Sequence, residues 1–163
     1  MSLGVNVSMF FLALSLLFFS VFTDLRAREI PDWVSLVFLL MGLVRLPSCG
    51  WGALVGGCII FGCAFGLWLA GFMGGGDVKL IASSSLLFPP LWQVRYILDI
   101  AIVGGFLAIL YLVLRKVVPV PATPVYGRAL RIECWRIRRG FALPYAIAIA
   151  GGFVVAALQG GFL

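Results

Sequence analysis

The sequence predicts an all-α protein, a polytopic membrane helical bundle of about six transmembrane helices. Three observations lead there. Of 163 residues, 63% are hydrophobic and 11% are charged, and mean hydropathy is +1.17. A water-soluble domain of this size has no use for that much apolar surface. The apolar residues also fall into runs of bilayer-spanning length, and the basic residues gather between those runs on one side. The length fits a single domain over residues 1–163.

The runs read as spans over 5–23, 33–46, 51–72, 77–91, 96–114 and 141–158. A full crossing takes about 20 apolar residues, so the second and fourth must borrow from their flanks or sit inside the bundle. The first has no basic flank before it and no small-residue cleavage site after it, so it reads as a span rather than a cleaved signal. Asp32, after Pro31, is expected to cap the second span, with Trp33 at the interface. The third carries Gly52, Gly56, Gly57, Gly62, Gly66 and Gly71, a pattern that lets a neighbouring helix come close. Pro89-Pro90 closes the fourth. Pro119, Pro121 and Pro124 make a stiff connector after the fifth.

Orientation follows from Lys and Arg. With the loop 24–32 placed in the cytoplasm, that side holds Arg26, Arg28, Lys79 and a basic loop over about 115–140. The other side holds only Arg45 and Arg95. Both termini then lie outside. The loop stretch 128–139 mixes five arginines with Leu130, Ile132, Trp135 and Ile137, which suits a helix lying on anionic lipid. The net charge of +6 is therefore assigned to the membrane lipids, with no nucleic-acid partner.

The chain has no histidine. That removes Ser-His and Cys-His catalysis, most zinc hydrolase sites and haem ligation through His. The four cysteines, Cys49, Cys58, Cys63 and Cys134, form no Cys-x-x-Cys pair. Cys58 and Cys63 lie in an apolar run and read as small packing residues. No metal and no cofactor is implied.

What remains is acid. A carboxylate near lipid is costly and marks a functional site by default. Asp24 ends the first run, and Asp77 follows Gly74, Gly75 and Gly76 after the third. The orientation puts both at the cytoplasmic face. Two carboxylates sharing one proton can hold a water and cut an amide. One takes a proton from the water while the other donates to the carbonyl oxygen or the leaving amine. The glycines offer unusual backbone angles, a close approach for extended substrate and a sharp entry into the fourth helix. The helix dipole favours negative charge at Asp77, at a helix start, and not at Asp24, at a helix end, so Asp77 is read as the general base and Asp24 as the proton holder.

Gly74-Gly75-Gly76-Asp77-Val78-Lys79-Leu80 resembles the G-x-G-D-x-K-L signature of the prepilin peptidases, aspartic membrane enzymes that process type IV pilin-like precursors. The stretch from Thr23-Asp24 through Ile30-Pro31-Asp32 is similar to their other motif, an Asp followed by Ile-Pro-Asn. Leu143-Pro144-Tyr145 resembles a Pro-Tyr stretch in their last helix. The resemblance implies that Asp24 and Asp77 are catalytic and that a short basic leader is removed at the cytoplasmic face of the bacterial inner membrane, just before the hydrophobic pilin helix. Asp32 stands where the family usually has Asn. The cysteine-paired insert of the long, methylating forms is absent, so the chain resembles the short, peptidase-only forms associated with Flp-type or tight-adherence pili.

Other residues read more plainly. Lys79 reaches lipid headgroups or supports the site, and Ser83, four residues on, makes a Ser-Lys pair conceivable. Asp99 is expected to pair with Arg95, four residues before it. Glu29 reads as solvated, and Glu133 as an ion-pair partner in the basic loop. Two rival functions fit the same acids: a small proton-coupled transporter, whose acids belong near the midplane, and a non-catalytic pilus or secretion assembly subunit, which tolerates loss of both aspartates.

Overall fold

A computed structural model describes residues 3–27, 29–117 and 145–161. Among them there is no strand. The helices are α1 (Leu3–Ala27), α2 (Asp32–Cys49), α3 (Trp51–Leu69), α4 (Gly75–Ser85), α5 (Pro90–Val117) and α6 (Tyr145–Ala156), the last running into a π-helical turn, Ala157–Gly161. Among the described residues, four helices (α1, α2, α3 and α5) are long and apolar enough to cross a membrane. The all-α membrane bundle expected from composition is the observed fold. Residues 118–144, which hold the proline connector, most of the basic loop, Cys134, Glu133 and Pro144, lie outside the described residues.

The helix ends follow local chemistry. Gly50 alone joins α2 to α3, at a φ of 81° that favours glycine. α3 ends in a Schellman arrangement: Gly71 takes φ 78°, its N–H donates to the Trp68 carbonyl, and the Phe72 N–H donates to the Leu67 carbonyl. α5 starts at Pro90, six residues before the expected span, because proline is suited to the first helical position. α2 runs past Pro47 to Cys49, so the second span is longer than expected.

α4 differs most from expectation. Its 11 residues rise about 16 Å, roughly half the hydrocarbon thickness. It does not cross. It is a half-length helix packed against α2, α3 and α6, with every residue but one from Val78 to Ser85 buried. Three serines in such a place need partners. Ser83 donates to the Lys79 carbonyl (2.7 Å), Ser84 to Leu80 (2.6 Å) and Ser85 to Ala82 (2.7 Å). Ser84 also meets the Tyr96 hydroxyl at 2.8 Å. Ser83 is thereby a packing residue, its hydroxyl on the backbone carbonyl of Lys79 rather than on its amine.

The core is continuous through the bundle. Ala13 and Leu17 of α1 join Val34, Phe38 and Met41 of α2, Leu80 of α4, and Ile149 and Phe153 of α6. Phe88, Tyr96 and Phe153 form an aromatic cluster, with ring centroids 5.0–6.1 Å apart. Tyr96→Phe is expected to lower stability by about 0.5–1.5 kcal/mol, the net worth of one hydrogen bond, because Ser84 keeps its backbone acceptor. Thermal unfolding in detergent measures it.

Glycine allows close packing at particular places. In α6, a Cβ on Gly152 would stand 2.6 Å from Ile100 Cγ1 and 2.7 Å from the Ile100 backbone nitrogen, so α5 and α6 touch backbone to backbone. In α3, Gly56 and Gly57 sit against Gln93 and Leu86, whereas Gly62 and Gly66 face open space. The glycine pattern of α3 thus serves packing only along its first half. Cys58 and Cys63 are exposed, not packed as expected, while Cys49 is buried.

Two arginines are held in ways that the sequence does not announce. Arg45 is buried in α2. Arg95 donates to the Gln159 side chain instead of pairing with Asp99, and lies over the Trp92 ring. Asp99 is 7% exposed, and its Oδ2 has no partner among the described residues.

Candidate active site

One end of the bundle collects the last turn of α1, the loop into α2, and the first turns of α4 and α6. Contacts tie these pieces together. Gly76 rests on Ile30, with 3.2 Å from a would-be Cβ to Ile30 Cβ. The Tyr145 hydroxyl donates to the Phe72 carbonyl at 3.4 Å. The Ala146 N–H donates to Asp24 Oδ2 at 3.4 Å, across 122 residues of sequence.

A cavity of about 440 Å³ opens between them, lined by Asp24, Glu29, Ile30, Asp32, Gly74, Gly75, Gly76 and Asp77. The two aspartates singled out in the sequence therefore share one space. Asp24 is 7% exposed and lies in the last turn of α1. Asp77 is half-buried in the first turn of α4, its carboxylate folded back so that Oδ2 lies 3.0 Å from a would-be Cβ on Gly74.

The glycines serve space rather than backbone angle. Gly74 is extended (φ −74°, ψ 146°), and none of Gly74, Gly75 or Gly76 is among the positive-φ glycines. Gly74 clears the Asp77 carboxylate, a Cβ on Gly75 would stand 3.4 Å from the Trp68 indole nitrogen, and Gly76 admits Ile30. A side chain at any of the three would meet the cavity or its wall.

Asp77 lies in the first turn of α4, where the helix dipole favours negative charge. Asp24, at the end of α1, accepts the Ala146 N–H of α6, a stabilising contact for its carboxylate that the sequence does not announce.

Glu29, expected to be solvated, and Asp32, expected to cap α2, both line the cavity. Asp32 does not cap α2. Pro31 holds the cap position without a side-chain bond, and Asp32 sits in the first turn. Its Oδ1 pairs with Lys79 Nζ at 2.8 Å, with both side chains exposed. A carboxylate where the resemblance leads one to expect an amide gives Lys79 an ionic partner. Lys79 thus braces the rim through Asp32 and is not itself a lining residue. Exposed pairs contribute little, so Lys79→Met is expected to change stability by less than about 1 kcal/mol. Denaturant or thermal unfolding checks this.

A multi-pass helical protein with a carboxylate-lined cavity at one end of its bundle is the class that fold and site define. The type IV leader peptidase family matches over residues 11–113, which include Asp24, the glycines and Asp77, and the chain belongs to that family. It is therefore a membrane peptidase. Among curated proteins and among solved structures, none matches the chain.

Proposed function

We propose that the chain is an aspartic endopeptidase of the bacterial cytoplasmic membrane that removes the leader of type IV pilin-like precursors of the Flp type, with Asp24 and Asp77 as the catalytic pair. The observation that carries this reading is their common cavity, shared with Gly74, Gly75 and Gly76. Their position at helix ends suits work at a water–lipid boundary better than an ion path through the midplane. The Lys and Arg distribution puts that end in the cytoplasm.

In the reaction, substrate lies extended across the glycines with its scissile carbonyl between the acids. One aspartate works as the carboxylate and the other as the acid, the division of one proton that an aspartic pair in a common cavity uses. The ionised one removes a proton from water, and the resulting hydroxide attacks the carbonyl carbon. The protonated one donates to the carbonyl oxygen, giving a neutral gem-diol. Collapse breaks the C–N bond, with a proton passing to the leaving amine, and leaves one carboxyl protonated again. No cofactor enters.

The test is co-expression with a candidate precursor, read by the mass of the pilin. The native chain is expected to yield the shortened form, and the Asp24→Asn and Asp77→Asn variants the full-length precursor. Leader removal persisting in both variants would end the aspartic reading.

A further inference from the structure

We propose that the groove between α2, α3 and α4 seats the apolar helix of the precursor, continuing the path of the chain being cut. The inference rests on the peptidase reading above. The groove holds about 720 Å³ and is walled by Leu36 and Leu39 of α2 and Leu54 and Phe61 of α3, with Gly57 and Ala82 deeper in. Walls of this kind fit an apolar helix laid in lengthwise, and the small residues let its backbone come close.

Three observations select this occupant. First, Asp32 lines both the groove and the acid cavity, so the two are continuous. A second groove of about the same volume, walled by α3, α5 and α6, shares no lining residue with that cavity. Second, the groove is polar only in part. Asp32 and Lys79 stand at the cavity end, and the walls beyond are mostly apolar, broken by Ser35 and Ser83. That order fits a segment that is polar where it enters the cavity and apolar afterwards. Third, Ser35 lines the groove, is 8% exposed, and its hydroxyl has no hydrogen-bond partner among the described residues. Ser83, Ser84 and Ser85 return their hydroxyls to their own helix, but Ser35 does not. A buried hydroxyl left in this state is costly. A backbone carbonyl of the incoming chain, near the point where its helix must unwind to be cut, would satisfy it.

Cys58 lies in this groove and Cys63 in the other, and both are exposed. They supply the test. The full chain is prepared with Cys58 as its sole thiol and, separately, with Cys63 as its sole thiol. Each is expressed with precursors carrying one cysteine at successive positions of the apolar run, in an Asp77→Asn background that holds substrate uncut. Oxidation in membranes is expected to form disulfides from Cys58 at precursor positions recurring every three to four residues, and none from Cys63. Equal yields from Cys63 would overturn the proposal. So would no disulfide from Cys58 while the Asp77-intact form of the same chain still removes the leader, the outcome if lipid alone fills the groove. Leader removal by no form of the chain would remove the peptidase reading, and this proposal with it. A second measurement needs no thiol. Leu36→Trp narrows this groove and Val94→Trp the other. Leu36→Trp is expected to lower kcat/KM for the membrane-bound precursor by about tenfold or more, the scale of a lost side-chain pocket, and Val94→Trp to leave it unchanged. Equal effects would contradict the assignment.

Discussion

Asp24→Asn and Asp77→Asn are each expected to lower leader removal by a factor of about 10²–10⁴ or more, the range for loss of a positioned acid or base. Both exchanges keep the shape of the side chain. An amide at position 24 still accepts the Ala146 N–H through its oxygen, so the α1–α6 contact survives. Position 77 remains in the first turn of α4, where Asn is tolerated. Unfolding temperature is therefore expected to change little while activity disappears. That separation distinguishes a catalytic role from a structural one. It also separates the enzyme from the assembly subunit weighed beside it, which would lose neither property.

Gly152→Leu is expected to damage the fold first and activity through it. Even an alanine there would bring a methyl to 2.7 Å from the Ile100 nitrogen and 2.9 Å from its Cα. Those are backbone atoms, so no rotamer change relieves the clash. Overpacking costs about 1–3 kcal/mol when side chains can adjust, and a leucine forcing two helices apart should reach or exceed the upper end of that range. Because α6 also brings the Ala146 N–H to Asp24, displacing α6 moves the Asp24 carboxylate. Purified protein should show both a lower unfolding temperature and a lower kcat. At Gly62, where a side chain meets open space, the same exchange should change neither.

The contrast between these glycines shows what a sequence yields and what it does not. Composition and run length were enough for a helical membrane bundle, because apolar periods and breaker residues act locally. The two aspartates also stood out, because an acid at the end of an apolar run is rare on energetic grounds alone. The short α4 was harder. Its serines lower its hydropathy, and only their return to backbone carbonyls and to Tyr96 explains how it stays buried. Glu29 and Asp32 are exposed, as solvated acids are expected to be, but nothing near them in sequence says that their loop folds back over the Gly74–Asp77 turn to line the cavity. The contact that brings it there is Ile30 on Gly76. Asp24 looked poorly placed at a helix end for the same reason. Its partner, the Ala146 N–H of α6, is 122 residues away.

Asp99 shows the same limit from the other direction. Spacing to Arg95 suggested a local ion pair, but Arg95 turns to Gln159 and Asp99 is buried on α5. Side chains four residues apart on a helix can meet, but tertiary partners decide whether they do.

The claim on which the account depends is that Asp24 and Asp77 act as one unit on one water. The most direct measurement is the rate of precursor cleavage by purified Asp24→Asn, Asp77→Asn and the double variant under single-turnover conditions. Groups that act together are not additive, so the account predicts a double variant no slower than the slower single one. Two independent losses that multiply in the double variant, or a single variant that cuts as fast as the native chain, would contradict it.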